Sequence, residues 1–292
     1  MIGLVIGGVF LAGLVMFAVL FFTVFKSDGD DFVVKGSGQI AVVDLFGGIY
    51  DPTPTVKQID KWSQRNDIKA IVIHINSPGG GVAASQEIYE AINRARTEYD
   101  KVIVAAMSSV AASGGYYVAC GADRIVANPG TLTGSIGVIM QYPTFEELMK
   151  KVGVKLETIK SGELKDVGNY SRAMTEGEER MLRSVIMDSY QQFVEVVARG
   201  RGMETEAVKP LADGRIYTGL QAYNLGLVDT LGTFHDAINV AADMVGIEEN
   251  PETVKEVKRK PGFFELLNET ASKVKTTLSF EQTGPQLLYL YH

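Results

Sequence analysis

The sequence predicts an α/β fold, in which a sheet of buried parallel strands is covered by amphipathic helices. Two apolar runs, at residues 68–75 and 101–107, are typical of strands that are buried on both faces. Between them, residues 84–99 place Ile88 and Ile92 on one side of a helix. Strand-like and helix-like segments alternate in this way with a repeat of roughly 30 residues, which is typical of parallel sheets with crossover helices.

The first segment of the chain predicts a membrane span. Residues 2–25 contain no charge and would form a helix of about 36 Å, against a hydrocarbon core of about 30 Å. A cleavable leader has a shorter apolar region, of about 7–15 residues, and ends in a small-residue cleavage site, whereas KSDGDD follows here. Although no Lys or Arg precedes the run, we expect a retained transmembrane anchor at residues 1–26, with the body of the chain outside.

The rest of the chain divides into a linker, a main domain and a C-terminal region. We expect a linker at residues 27–37, an α/β domain at 38–246, and at 247–292 a charged linker, a short amphipathic helix and an apolar tail. The main domain is expected to hold further elements. The additional predicted strands are 39–47, 124–127, 133–140 and 155–160, and the additional predicted helices are 55–64, 144–153, 175–199 and one from 233.

Composition disfavours several classes of partner and cofactor. The formal net charge is −7 and no long basic cluster is present, so we expect no nucleic-acid partner. A lone cysteine, Cys120, allows neither an intrachain disulfide framework nor a cysteine-rich zinc site, and its apolar surroundings indicate a buried hydrophobe. We expect no metal and no cofactor.

Two glycine-bearing turns follow buried strands and are candidates for a functional site. They are NSPGGG at residues 76–81 and the segment ASGGYY around Ser113. Parallel strands place both turns at the same edge of the sheet, where α/β proteins bind ligands. No Gly-Lys-Ser/Thr follows, which excludes a P-loop. Gly79, Gly80 and Gly114 can direct backbone N–H groups at an oxyanion, although a plain tight turn is the alternative for the first segment.

A nucleophilic serine at position 113 needs a base. The chain has three histidines, and none lies in a loop at the expected edge. His74 lies within a buried strand, His235 begins a helix, and His292 is the terminal residue. A Ser-His-Asp triad therefore lacks a convincing base.

Lysine is the other known base for a serine nucleophile, and Lys165 is the candidate. It lies in the glycine-bounded loop 160–168, directly after a predicted strand. Only a neutral amine can accept a proton, which requires burial away from carboxylates, so we expect the adjacent Asp166 to point elsewhere. On local sequence alone, a solvated loop lysine remains the alternative.

These segments resemble the signature blocks of the bacterial signal peptide peptidase family, also called protease IV. The blocks are NSPGGG, SSVAASGGYYVACGADRIVANPGTLTGSIGV and SGELKDVG, in that order, and the resemblance covers most of residues 40–232. It implies a Clp-protease/crotonase-like fold of stacked β-β-α units. Residues 38–246 would then be the peptidase domain.

The resemblance also implies roles for the candidate residues. Ser113 resembles the nucleophile and Lys165 the general base of a Ser–Lys dyad, while Gly80 resembles an oxyanion contributor with Gly114 as its neighbour. Which of Gly79 and Gly80 donates remains open at this point. No cofactor is implied.

The same resemblance implies a cellular role. The family has one membrane anchor, an extracytoplasmic catalytic body at the cell membrane, and cleaved signal peptides or other apolar peptides as substrates. Long members carry two copies of the domain and this chain carries one, so a homo-oligomeric ring is implied. Its sites would be completed at subunit interfaces, with Lys165 able to serve the Ser113 of a neighbouring subunit.

The apolar tail GPQLLYLYH, at residues 284–292, chemically resembles the apolar region of a signal peptide. Extended peptides commonly bind by adding a strand to an exposed sheet edge. We expect the tail to add as a strand along the substrate groove and to reduce activity. The alternative is that the tail packs on the body or frays.

Other functions remain alternatives at this point. A membrane quality-control protease acting on misfolded or membrane proteins would use the same residues. A crotonase-type acyl-CoA enzyme shares the fold but has no use for Ser113. A membrane assembly scaffold that has lost its chemistry would not need Ser113 and Lys165 to be intact.

Overall fold

A computed structural model describes residues 32–247, 251–258 and 288–290 of the chain. The predicted anchor at residues 1–26 and the predicted helix at 263–278 lie outside these ranges. Within them, no helix combines the length and the apolar character that crossing a bilayer requires.

The described residues form eleven strands, eight α-helices and two short 3₁₀ turns. The strands are β1 Phe32–Lys35, β2 Ile40–Phe46, β3 Ala70–Ser77, β4 Gly79–Gly81, β5 Val102–Ala112, β6 Arg124–Ala127, β7 Leu132–Gly134, β8 Ile216–Thr218, β9 Thr230–Leu231, β10 Thr253–Lys258 and β11 Leu288–Leu290. The helices are α1 Thr53–Ser63, α2 Val82–Thr97, α3 Gly114–Ala119, α4 Glu146–Val152, α5 Glu176–Arg201, α6 Thr205–Val208, α7 Gly219–Asn224 and α8 Phe234–Met244. The 3₁₀ turns are Glu163–Asp166 and Lys209–Leu211.

Nine of these strands form one mixed sheet. The main path is β1-β10-β2-β3-β5-β6-β9, and β7 pairs with both β5 and β8. The central strands β2, β3, β5 and β6 run parallel, as the sequence predicts. The remaining two strands, β4 and β11, pair with each other in a separate small sheet.

The central sheet is buried on both faces, which explains the continuous apolar runs in its strands. Along β3, Ile71 and Ile73 belong to a core shared with Ile88 of α2, whereas Val72 belongs to a second core that includes Ala241 of α8. Successive side chains of a strand point to opposite faces, so both sets must be apolar when helices cover both faces. The predicted α/β layering is confirmed.

Several predicted boundaries differ from the structure at places where partners are remote in sequence. Residues 32–35, assigned to the linker, form β1, which pairs with β10 from the region assigned to the C-terminal linker. Strand β10 in turn pairs with β2. Residues 155–160, predicted as a strand, are exposed and have no regular structure. The apolar spacing of 155–160 matches a strand, but this stretch joins neither sheet of the described residues, and a strand needs such a partner for its backbone hydrogen bonds.

A long part of the chain packs little against the body. None of residues 137–177 is buried, and this stretch is called the exposed segment below. It includes α4 and the 3₁₀ turn that carries Lys165. Its exposed apolar side chains are Phe145, Leu148, Val152, Val154, Leu156, Ile159, Leu164, Tyr170 and Met174. So many exposed apolar groups in one segment indicate a surface that binds a partner.

Helix α5 supports α3, the helix that follows Ser113, through a close backbone approach. A Cβ atom added at Gly200 would lie 2.3 Å from the carbonyl oxygen of Cys120. The approach therefore requires glycine at position 200, although glycine is otherwise unfavourable in a helix.

We expect Gly200→Ala to lower the free energy of unfolding by about 1–3 kcal/mol, because the added methyl must push α3 and α5 apart. In an unconstrained helix the same change would stabilise by up to about 1 kcal/mol. Gly177→Ala, also in α5, is the matched control, since the nearest atom to its added Cβ lies 3.9 Å away. Urea unfolding of both variants measures the effect, and equal midpoints would contradict the packing argument.

Candidate active site

Ser113 lies at the corner where β5 ends and α3 begins. Its backbone has φ 53° and ψ −117°, a conformation that non-glycine residues rarely adopt. The corner is held by two hydrogen bonds: the Ser113 N–H donates to Gly134 O at 2.8 Å, and the Ser113 carbonyl accepts from the Tyr117 N–H at 2.8 Å. Strain of this kind costs about 1–3 kcal/mol and is concentrated at functional sites.

The hydroxyl of Ser113 is buried and unpaired. The residue is 1% exposed, and its Oγ has no hydrogen-bond partner within the described ranges. Most buried polar side-chain atoms in folded proteins are hydrogen-bonded, so an exception calls for an explanation, and a catalytic role is one.

The glycines after Ser113 are required by the close approach of the neighbouring backbone, β4 in the case of Gly114 and the end of β3 in the case of Gly115. A Cβ at Gly114 would lie 2.5 Å from the Ser85 Oγ and 3.2 Å from the Gly80 N. One at Gly115 would lie 2.9 Å from the Ser77 carbonyl oxygen. The two glycine-bearing turns therefore meet at one edge of the sheet, as the sequence predicts. They can meet because the first two residues of α3 are glycines and have no side chains.

The hydrogen bonds of β4 distinguish Gly79 from Gly80. The Gly79 N–H donates to the Ser77 Oγ at 3.1 Å, and the Gly81 N–H donates to the Ile49 carbonyl at 2.7 Å. Backbone groups of successive strand residues point to opposite sides, so the N–H of Gly80 is directed away from Ile49. Of the two glycines left open by the sequence, Gly80 is therefore the one whose N–H faces the side of β4 that lies opposite Ile49.

The C-terminal tail pairs with β4 on this side, opposite Ile49. Strand β11 runs antiparallel to β4, with Leu288 opposite Gly81, Tyr289 opposite Gly80 and Leu290 opposite Gly79. The tail therefore forms a strand, as expected, and the strand that it joins is the glycine strand β4. Its backbone thus occupies the position that an extended peptide bound by strand addition would take.

The structure does not join Lys165 to Ser113 within one chain. Lys165 lies in the 3₁₀ turn of the exposed segment, and its side chain is exposed. Its Nζ forms no hydrogen bond or ion pair with any described residue, and the Ser113 Oγ likewise has none. The turn follows an irregular stretch rather than the predicted strand at 155–160.

The carboxylate of Asp166 is directed at other cations, as predicted. Lys160 Nζ lies 2.6 Å from its Oδ1, and Arg172 Nη2 lies 2.9 Å from the same atom. The hydrogen bond from Lys160, together with those from Asn169 and Arg172, holds the pKa of Asp166 well below its usual range. Its charge is thus compensated by groups other than Lys165.

The sequence did not predict a cavity between the segment after β7 and α5. It has a volume of about 720 Å³ and is lined by residues that include Ser135, Val138, Ile186, Tyr190 and Gly214. Ser135 directly follows Gly134, whose carbonyl holds the Ser113 backbone, and it has a positive φ of 50°. The sequence analysis assigned residues 133–140 to one strand, so this break in the strand was not foreseen; the Gly-Ser pair was the available signal.

The two described histidines, His74 and His235, lie in the elements in which the sequence placed them, whereas His292 lies outside the described residues. His74 packs between Phe46 and Phe234, and its Nδ1 lies 3.4 Å from the Asp44 Oδ1. The hydrogen bond with His74 is the main reason that the pKa of Asp44 is lowered. His235 lies in the first turn of α8. Within the described ranges, no cluster of three or more His, Cys, Asp or Glu side chains is arranged to hold a metal.

A buried serine at a strained strand-to-helix corner, followed by a glycine that packs against a glycine strand, is typical of a serine hydrolase. Comparison with known families makes this specific. The model of peptidase family S49 matches residues 95–248, and the Clp protease model matches residues 50–129. The chain belongs to peptidase family S49 and is a serine peptidase, and the resemblance to the signal peptide peptidases is confirmed. The mixed α/β sheet is consistent with a Clp-protease-like fold.

Relatives support this assignment. A protein of Synechocystis sp. named as a protease is 39% identical over 267 residues, which cover 87% of this chain and 96% of the relative. An Enterococcus faecium protein named as a signal peptide peptidase SppA is 42% identical over 190 residues, covering 65% of this chain and 55% of that protein. The chloroplastic serine protease SPPA of Arabidopsis thaliana is 35% identical over 239 residues, covering 77% of this chain and 35% of its own length.

We expect Gly114→Ala to reduce kcat/KM for peptide hydrolysis by about 10²-fold, the effect typical of losing one oxyanion donor. The reason is that the added methyl would displace the Gly80 backbone, 3.2 Å away. Gly130→Ala is the control, because nothing lies within 4 Å of its added Cβ. Steady-state kinetics measures both variants, and a Gly114→Ala enzyme with normal kcat/KM would show that the spacing of α3 and β4 is not critical.

Proposed function

We propose that this chain is a membrane-anchored serine endopeptidase that uses a Ser113–Lys165 dyad to degrade released signal peptides and other apolar peptides. The observation that carries the proposal is the buried, unpaired Ser113 hydroxyl at a strained corner beside Gly80. A nucleophile of this kind needs only a base and an extended substrate to be complete.

The chemistry follows from these groups. The neutral amine of Lys165 accepts the hydroxyl proton of Ser113 as its Oγ attacks the scissile carbonyl. Backbone N–H groups of Gly80 and Gly114 donate to the oxyanion that develops. The protonated Lys165 then donates its proton to the leaving amine. Neutral again, Lys165 accepts a proton from the water that hydrolyses the acyl-enzyme. Gly79 has a supporting role, since its φ of 99° sets the turn and its N–H is bound by Ser77.

We propose that the base is supplied by a neighbouring subunit in a homo-oligomeric ring. Two observations support this. Lys165 is exposed and the Ser113 Oγ is unpaired within the described chain, so each side chain lacks its partner. Lys165 also lies in the exposed segment, whose many unburied apolar side chains are suited to contact with a second copy. Docking there would bury the amine away from water, as a neutral lysine requires.

The membrane location rests on the sequence. Residues 2–25 contain no charge over a length that spans a bilayer, and we propose a single-pass anchor with the catalytic domain on the extracytoplasmic side of the cell membrane. An enzyme held there would meet apolar peptides left in the bilayer. The Enterococcus faecium relative named as a signal peptide peptidase supports this substrate class.

The other functions are weighed by the same observations. A quality-control protease acting on misfolded or membrane proteins remains the alternative, because it would use the same dyad and anchor. Membership of a peptidase family disfavours an acyl-CoA enzyme and a non-catalytic scaffold. Digestion of a signal peptide and of an unfolded membrane protein, with the products identified by mass spectrometry, distinguishes the two peptidase roles.

We further propose that the tail is autoinhibitory. Strand β11 lies opposite Gly80, the proposed oxyanion donor, and so competes with any substrate that binds as a strand along β4. Helices α2 and α3 also contact this strand, which supports a position of the tail next to the residue that follows Ser113.

The subunit-shared dyad is tested by complementation. We expect Ser113→Ala and Lys165→Met each to be inactive when expressed alone, and Ser113→Ala not to react with a fluorophosphonate probe. Co-expressed chains should regain about a quarter of the wild-type activity, because in a randomly mixed ring about a quarter of the sites combine an intact serine with a neighbour's intact lysine. An inactive mixture would place the base in the same subunit, and a reactive, active Ser113→Ala would refute the dyad itself.

The tail is tested by deletion. We expect removal of residues 287–292 to raise the turnover of a small apolar peptide by about tenfold, which corresponds to a net tail binding free energy of about 1.4 kcal/mol. Removal of residues 291–292 alone is the matched control, since it leaves β11 intact. Equal turnover of the two truncated chains would exclude autoinhibition.

A further inference from the structure

Four charged side chains form a network around the turn that carries Lys165. Lys160, Asp166, Arg172 and Glu178 make up this network, called the Arg172 network here. Asp166 is the immediate neighbour of Lys165, and Glu178 belongs to the first turn of α5. Arg172 lies between the two carboxylates and contacts both.

The contacts of Arg172 tie the turn to α5. Its Nη2 lies 2.9 Å from the Asp166 Oδ1, and its Nη1 donates to the Glu178 Oε2 at 2.9 Å. Its Nη2 also donates to the Glu178 Oε1, so the pair with Glu178 is bidentate. Bidentate Arg–carboxylate pairs are geometrically specific, and a lysine at this position could not reproduce them.

Glu178 is a fixed anchor for this network. Its side chain is 2% exposed, and its Oε2 also accepts the Thr175 N–H at 2.8 Å in a capping box at the start of α5. The hydrogen bonds from Arg172 hold the pKa of Glu178 at about 2, so the carboxylate is ionised throughout the neutral range. Arg172 is therefore bound to a carboxylate that is itself fixed by the first turn of α5.

We propose that Arg172 is a positioning residue for the catalytic base: with Lys160, it holds the Asp166 carboxylate away from Lys165 and fixes the turn that presents this amine. The inference rests on the proposed function, in which Lys165 is the base. A base that must be neutral is best served when the adjacent carboxylate is fully paired elsewhere.

The charges around Lys165 make the effect of Arg172 specific. The charged groups of the same turn and its approach are Lys160, Glu163 and Asp166, and those packed against the turn from the α5 side are Arg172 and Glu178. The four-residue network has two cations and two anions and is formally neutral. Loss of Arg172 would leave one excess negative charge beside Lys165, which would favour the protonated amine and so oppose its action as a base.

Two other ion pairs of α5 differ from the Arg172–Glu178 pair. Arg180–Glu176 and Arg183–Glu179 are exposed pairs of adjacent helical turns, and such pairs contribute little to stability. Neither connects α5 to the turn of Lys165. They provide charge-matched controls on the same helix.

The test compares activity–pH profiles of full-length variants with a small apolar fluorogenic peptide. We expect Arg172→Ala to move the acidic limb of kcat/KM upward by about one pH unit, which lowers activity about tenfold on that limb while KM changes little. The direction follows because a base favoured in its protonated form becomes neutral only at higher pH. Arg183→Ala should leave the limb unchanged.

The double variant separates positioning from simple loss of structure. Arg172→Ala combined with Asp166→Asn should return the limb to its wild-type pH, because the carboxylate next to Lys165 is gone and the remaining pair of Lys160 and Glu178 is again formally neutral. A purely structural role predicts that the double variant is at least as impaired as the single one. An unshifted limb in Arg172→Ala, or no return in the double variant, would overturn the inference.

Lys160→Met keeps the test decisive if Arg172→Ala fails to fold. It removes the other cation of Asp166 and leaves the Arg172–Glu178 pair in place, so we expect a smaller shift in the same direction. An unshifted limb in this variant would also overturn the inference. Failure of the proposed function looks different, since Ser113→Ala or Lys165→Met would then keep wild-type activity.

Discussion

The close approach of the α3 backbone to β4 is the constraint on which the rest of the site depends. It brings Gly114, the residue after Ser113, against Gly79 and Gly80, and it is possible only because Gly114 has no side chain to meet Ser85 and the β4 backbone. On the other side of α3, Gly200 allows α5 to pack equally closely on Cys120. The helix that follows Ser113 is thus fixed between two glycine contacts, and a strained serine can be held at its start.

The serine and the lysine occupy opposite kinds of environment. Ser113 lies in a fully packed part of the molecule, whereas Lys165 lies in a segment with no buried residue. A dyad that combines them therefore requires a second protein surface that buries the lysine. The apolar side chains of the exposed segment are where such a surface would make contact. In the proposed dyad, activity and assembly would be coupled, because a lysine base requires a burial that the exposed segment of a single subunit does not provide.

Much of the fold was predictable because it depends on local pattern. The continuous apolar run of β3 and the amphipathic pattern of α2 report burial directly, and both elements lie where the sequence placed them to within about two residues. Strands β1 and β10 were not foreseen, since each is stabilised by pairing with a segment far away in the chain. The stretch 155–160 shows the converse, because a strand-like pattern without a neighbouring edge forms no strand.

By itself, the sequence determined the α/β class, the two glycine turns at one sheet edge and the serine between them, because residue type and order decide these features. Only the tertiary structure decided which glycine N–H is directed away from Ile49. This depends on the hydrogen bonds that Gly79 and Gly81 donate to Ser77 and Ile49. It also decided where the tail lies and which cations take up the Asp166 charge. These are contacts between segments remote in the chain or between side chains whose direction no pattern encodes.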